Sequence, residues 1–272
     1  MMLKVRDIYN TLLAFESKTK KQKGKRQLYP VHKKLQFSKE KYDDISDWIN
    51  DRLRIKENDF ILDAGCGVGY VLTKICTSFN CTGLGISLSE KEVAWASKIS
   101  GELGLAEKVS FEQRSFDDTF DVKFDLIIAI ESLKHSDSIR NTLDNLVAHL
   151  KPGGRIFMLD DFVTDERFQF LKKQVKKYWA VNSFYTLNSA TEKLTELNLP
   201  FEIIDFTPNV EYTKKRNTGV KVLVMFIFLF LARLLPFFRI YAIYFAGFCL
   251  ERLYQKKAME YKAIIATRTT VA

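Results

Sequence analysis

The chain has 272 residues, with 42 Lys+Arg against 33 Asp+Glu and a net charge of +9. Hydrophobic residues make up 47%, while Gly (12) and Pro (5) are scarce. That composition excludes collagen-like and low-complexity chains and indicates a folded domain. The charge is unevenly placed. Residues 1–56 hold 15 basic against 7 acidic residues, 57–165 hold 10 against 18, and 166–272 hold 17 against 8. The middle of this basic protein is therefore acidic, which disfavours nucleic acid as a partner. The four cysteines (Cys66, Cys76, Cys81, Cys249) form no C-x-x-C pair and only three His are present. No metal site is expected, and a reducing compartment fits best. No apolar stretch follows Met1-Met2-Leu3-Lys4, so a secretion signal is not expected and a cytoplasmic location is.

Residues 1–56 are expected to form a helical arm or lid, broken by the basic run 18–26. Ile45, Trp48, Ile49 and Leu53 recur at helical spacing. From Asp59 the pattern becomes strand–helix alternation over 57–207. Strands are predicted at 60–62, 81–86, 109–112, 124–130, 155–160 and 201–206. Helices are predicted at 70–79, 89–103 with Ser89 as N-cap, 138–150 and 190–197. Lys151-Pro152-Gly153-Gly154 forms the turn before the fifth strand. Such alternation predicts an α/β fold with a doubly wound, mostly parallel sheet.

A seventh strand is predicted at 259–267, within a final segment 258–272. Between strands six and seven lies an apolar insertion, 208–257. Its runs 222–232 and 240–250 carry no charge and are separated by Arg233, Pro236 and Arg239. Each run is about 16 Å long as a helix, too short to span a bilayer. Three readings stay open: helices packed on the sheet, a lid over a greasy substrate, or an interfacial hairpin giving peripheral membrane contact through 220–250.

The most informative motif is Asp63-Ala64-Gly65-Cys66-Gly67-Val68-Gly69, between the first strand and first helix. Ligands of open α/β sheets bind there. The spacing is not the G-x-G-x-x-G of a dinucleotide site, nor does a P-loop Gly-Lys-Ser/Thr follow. An acid at the loop mouth suits a cationic ligand better than a phosphate.

This loop, with the Lys-Pro-Gly-Gly turn and the order of elements, resembles the class I S-adenosylmethionine-dependent methyltransferases. The resemblance implies their Rossmann-like seven-stranded sheet with a reversed last strand, and S-adenosylmethionine as cofactor. Asp63 and the backbone of Gly65, Gly67 and Gly69 would hold its methionine part. The second strand ends Gly85-Ile86-Ser87-Leu88-Ser89 without the usual ribose-binding acid, which resembles the branch of sterol and isoprenoid C-methyltransferases and cyclopropane fatty acid synthases. Where that branch places a Gln near Ser87 and Leu88, this chain has Glu92, which can accept from both ribose hydroxyls. Ser115-Phe116 stands where the family has an Asp–hydrophobic pair against adenine.

The segment Ile130-Glu131-Ser132-Leu133-Lys134-His135 resembles the Glu-x-x-x-His segment of the same branch. Glu131 would stabilise or deprotonate a carbocation, and His135 would act as base or orient a substrate oxygen. Asp161, Asp205, and Tyr29 with His32 are further candidates for substrate binding, the last two with neighbouring lysines for a diphosphate. The expected reaction is methyl transfer to a hydrophobic small molecule, first a carbon of an isoprenoid or lipid such as a prenyl diphosphate. Methylation at O or N of a natural product or quinone-like lipid is the alternative, and a non-catalytic cofactor-binding protein a second.

Overall fold

A computed structural model describes residues 4–22, 44–211 and 239–269. Tyr29, His32 and residues 220–238 of the insertion lie outside the described residues.

Seven strands form one sheet. They are β1 (Phe60–Ala64), β2 (Thr82–Ser87), β3 (Val109–Gln113), β4 (Phe124–Ile130), β5 (Leu150–Val163), β6 (Phe201–Asp205) and β7 (Met259–Thr267). Their order is β3-β2-β1-β4-β5-β7-β6, with β7 antiparallel to both neighbours. The central strands are buried on both faces: Ile61, Leu62, Leu126, Ile127 and Ile128 are inaccessible. That is why they read as continuous apolar runs rather than alternating ones. Strand order reverses between β1 and β4, which opens a crevice at their carboxyl ends.

Helices α1 (Val5–Gln22), α2 (Ile45–Arg52), α3 (Tyr70–Phe79), α4 (Glu90–Glu102), α5 (Ile139–Ala148), α6 (Gln169–Trp179), α7 (Leu187–Glu196) and α8 (Arg239–Gln255) flank the sheet. Their starts follow capping chemistry. Asp44, Ser89, Ser138 and Thr186 each accept a backbone N–H from the first turn of α2, α4, α5 and α7. Ile45, Ile49 and Leu53 sink into the main core beside Ile61 and Leu72. Asp44 also accepts from Tyr70 Oη at 2.7 Å and Lys74 Nζ at 3.0 Å, so α2 is fastened to α3.

Three features differ from the expectations. The fifth strand starts at Leu150, not Arg155: the Lys-Pro-Gly-Gly turn lies within its paired length, as a bulge where the register against β4 shifts. Helix α6 was not foreseen, because four lysines among its eleven residues hide the apolar spacing of Leu171 and Val175. The apolar run 240–250, with Arg239 read as a separator, lies inside a longer helix, Arg239–Gln255. It packs on α6, burying Phe245, Cys249, Leu250 and Leu253 while leaving Tyr241 and Tyr244 exposed. No described helix is long and apolar enough to cross a membrane.

Candidate active site

The crevice at the ends of β1, β2 and β4 is an open cleft, about 1060 Å³ of empty space with its solvent-filled mouth included. Its base is the glycine loop. Gly65 has φ +97, and a Cβ there would lie 2.4 Å from Ser132 Cβ, so the loop touches the turn after β4. Gly67 has φ +53 and its missing side chain faces open space, with Glu92 Oε1 the nearest atom at 3.8 Å. A ligand can therefore approach the backbone at Gly67. Gly69 precedes the first turn of α3 and does not line the cleft.

Three buried carboxylates line this cleft, Asp63, Glu92 and Glu131. Asp63 is pushed up to about 7 by burial, opposed by the Leu72 backbone N–H. Glu92 is also pushed up to about 7 by burial, opposed by Ser87 Oγ, which donates to its Oε2 at 2.8 Å. Both would ionise more readily beside a cation or hydroxyl donors. A ligand with a positive centre and a ribose diol matches that donor set, so S-adenosylmethionine fits the residues present. Leu88 and Phe116 supply apolar surface on the β2–β3 side. Ser115 does not reach the cleft: its Oγ accepts from Asp117 N in the turn after β3.

Glu131 and His135 both line the cleft, joined by a single 3-10 turn (Leu133–His135). Glu131 adopts φ +50, a left-handed conformation that costs a non-glycine residue roughly 1 kcal/mol. Its Oε1 accepts from Tyr261 Oη at 2.9 Å and its Oε2 faces Lys134 Nζ at 3.1 Å. His135 Nδ1 lies 3.0 Å from the Ala180 carbonyl, which only an Nδ1–H can satisfy. Nε2 is then the acceptor for Tyr9 Oη, 2.9 Å away. Burial lowers the imidazole to about 4, with Lys134 adding to the effect and the Ala180 bond opposing it, so the ring is neutral at physiological pH.

The roof of the cleft is α1, through Val5, Tyr9, Leu12 and Leu13. Asn10 Oδ1 accepts from Ser89 Oγ at 2.6 Å, a second tie between α1 and the core. Arg6 and Arg114 stand along the same cleft. Asp161 lies beneath the cleft rather than in it, held by Lys134 and by Tyr254 Oη. Asp205 sits at the far strand β6, paired with Lys262 at 2.9 Å, and does not reach the cleft. Sequence reasoning missed Tyr9, Lys134, Tyr254 and Tyr261. The clue available for Lys134 was a lysine between two candidate active residues on a buried turn.

The model of the methyltransferase domain family matches residues 37–201. Sterol 24-C-methyltransferase of Eremothecium gossypii is 31% identical over 119 residues, 43% of this chain and 32% of that protein. O-methyltransferase resE of Aspergillus sclerotiorum is 34% identical over 40% of this chain and 42% of that protein. The chain thus matches about a third to two fifths of these curated relatives. Among solved structures, geranyl diphosphate C-methyltransferase of Streptomyces coelicolor superposes with a TM-score of 0.63 at 19% identity, covering 83% of this chain and 78% of that one. The [4+2]-cyclase SpnF superposes with a TM-score of 0.73 at 14% identity over 99% and 98%. At such identities the likeness establishes the fold.

Proposed function

The chain belongs to the methyltransferase domain family, and from that premise we propose that it moves the methyl group of S-adenosylmethionine onto a hydrophobic small molecule, at a carbon of an isoprenoid or lipid. The observation that carries the reading is a buried carboxylate, Glu131, beside a neutral imidazole, His135, in a cleft roofed by apolar side chains. When bound, the cofactor supplies a methyl group on a positively charged sulfur. Asp63 and the glycine-loop backbone hold its amino-acid end, Glu92 its ribose hydroxyls, and Phe116 and Leu88 its base. Helix α1 keeps water out, which strengthens every charge interaction inside. Glu131 puts negative charge beside the alkene carbon left electron-deficient when its neighbour takes up the methyl group. His135, neutral and with Nε2 released from the Tyr9 hydroxyl, takes the proton that the methylated carbon then loses. The solved neighbour that acts on geranyl diphosphate supports an anionic, greasy substrate.

A hydroxyl acceptor is the second reading. It is favoured by His135 Nε2, which accepts from the Tyr9 hydroxyl and would accept a substrate hydroxyl that took the place of Tyr9. Contact of segment 220–250 with the greasy substrate or with the surface of a membrane storing it, in the cytoplasm, completes the proposal; within that segment, α8 buries Phe245, Cys249 and Leu250 against the core and presents Tyr241 and Tyr244 outward. Flotation with anionic vesicles checks that part.

The decisive experiment is methyl-labelled S-adenosylmethionine incubated with prenyl diphosphates and extracted lipids, with products located by mass fragmentation. A label on carbon supports the first reading and a label on oxygen the second. No labelled product from any acceptor overturns both. Glu131→Gln should lower carbon methylation at least about a hundredfold while changing S-adenosylhomocysteine affinity only a few-fold.

A further inference from the structure

Ser132 borders the cleft between Glu131 and the 3-10 turn and is 5% exposed, yet its Oγ has no hydrogen-bond partner. It stands at the N-cap position of that turn, where a serine ordinarily accepts a backbone N–H, and its side chain makes no such bond. The N–H groups a capping oxygen would take are already engaged. Lys134 N donates to Asp160 Oδ2 at 3.1 Å, and His135 N donates to the Ser132 carbonyl at 3.0 Å. Packing calls only for a small residue here, because Ser132 Cβ lies against Gly65 of the glycine loop. Alanine would meet that need without burying an orphaned hydroxyl, which costs stability. The other orphaned side-chain atoms among the described residues, Ser46 Oγ and Asn50 Oδ1, belong to α2 and do not line the cleft.

We propose that Ser132 is a cofactor-binding residue, whose hydroxyl donates to the carboxylate at the amino-acid end of S-adenosylmethionine. The inference rests on the methyl-transfer reading above, which seats that end on the glycine loop. The loop itself has few donors to give an anion: Gly65 N and Cys66 N both donate to the Ile86 carbonyl, and Gly69 N donates to the Cys66 carbonyl. Asp63, when ionised, suits the ammonium and repels the carboxylate. Ser132, packed on Gly65, offers the O–H that the carboxylate lacks. Only the Cα–Cβ bond has to turn for Oγ to leave the wall and face the cleft. A hydroxyl given to a carboxylate makes a charge-assisted bond, and the orphan's cost ends when the ligand arrives. Two arginines line the same cleft. Arg114 is engaged beyond β3 by Glu112 Oε2 at 3.2 Å and the Thr119 carbonyl at 3.0 Å, and it stacks on Phe120. Arg6, half exposed on the roof helix beside Asp7, is the competing partner for an anion.

The test compares the wild type with Ser132→Ala, by thermal melts without ligand and by calorimetry with two probes, S-adenosylhomocysteine and its decarboxylated analogue. Without ligand the variant should melt about 2–4 °C higher, because the orphan is gone. It should bind S-adenosylhomocysteine about tenfold more weakly and the decarboxylated analogue as the wild type does. Opposite signs for stability and affinity are what a purely structural serine would not give. An unchanged affinity for S-adenosylhomocysteine overturns the inference, as does equal weakening of both probes. Arg6→Ala, measured alongside, should leave the preference for the carboxylate-bearing probe in place. If it erases that preference while Ser132→Ala keeps it, the carboxylate belongs to Arg6 and the inference is overturned. Should Ser132→Ala not fold, Ser132→Cys, a weaker donor of similar size, carries the same expectation with a smaller loss. If the wild type binds neither probe, the methyl-transfer reading fails and this inference falls with it.

Discussion

Tyr9 Oη and His135 Nε2 are 2.9 Å apart although 126 positions separate them in the chain. This bond ties the roof helix α1 to the turn that carries the candidate reaction centre. Tyr9→Phe keeps the ring and deletes the donor. It should cost about 1 kcal/mol, a fall of roughly 2–4 °C in Tm for a chain of this size. Limited proteolysis should cut within α1 sooner in the variant than in the wild type.

His135 has a depressed value, about 4 in the folded protein against about 6.5 unfolded. The unfolded chain binds the extra proton between those values. The stability contributed by the neutral ring is therefore complete above about 6.5 and is lost as pH falls towards 4. NMR titration of the ring protons should show no His135 inflection between pH 6 and 8. An inflection there would mean that the Ala180 and Tyr9 bonds do not persist in solution.

Asp63 and Glu92 behave in the opposite sense. Burial raises both to about 7, so the folded protein holds their protons up to that pH. Their protonation favours the fold at low pH, and this contribution is lost as pH rises towards 7. A cationic ligand needs them ionised. S-adenosylmethionine should bind more tightly at pH 8 than at pH 6, and binding at pH 7 should release protons, visible as a calorimetric heat that depends on the buffer.

Two glycines of one loop should fail differently when replaced by alanine. Gly65→Ala drives a methyl into Ser132, so the chain should lose several degrees of Tm together with ligand binding. Gly67→Ala meets only open space and costs about 1–2 kcal/mol of backbone strain. It should fold, yet bind S-adenosylhomocysteine poorly because its methyl occupies the ligand's room. Thermal melts with and without ligand separate the two outcomes.

Arg268 gathers the end of α5 and the Lys-Pro-Gly-Gly bulge. Its Nη1 donates to the carbonyls of Val147, Ala148 and Leu150, and its own backbone pairs with Gly153 and Gly154. Arg268→Ala should cost about 1.5–3 kcal/mol, read from urea unfolding, with ligand affinity of the folded fraction unchanged.

What the sequence made legible is what local spacing encodes. The glycine loop, the Ser89 cap and the apolar strands each announce themselves within a few residues. Glu131 and His135 could be named because their segment, after the fourth strand, resembles the Glu-x-x-x-His of the C-methyltransferase branch. The partners that define their chemistry could not. Tyr9, Tyr254 and Tyr261 reach the site from α1, α8 and β7, and nothing near them in sequence marks a tyrosine that will meet a carboxylate or an imidazole. Lys134 carries no mark of its own in the sequence, because a lysine is buried only when carboxylates, here Asp160 and Asp161 from a distant strand, surround it. Asp205 shows the converse: a pattern suggestive of substrate binding belongs to an ion pair on the outer strand.

Strand β7 fills the slot between β5 and β6, and it brings Tyr261 to Glu131. A ribosome delivers β7 after every other described element. An emerging chain can close its glycine loop against β2 and set α5 in place while the sheet still has a gap and Glu131 lacks its tyrosine. The floor of the cleft is then the last part to mature. Nascent chains stalled before residue 259 should be able to form the loop yet remain without a finished reaction centre, a temporal separation between the part that grips a ligand and the part that would act on it.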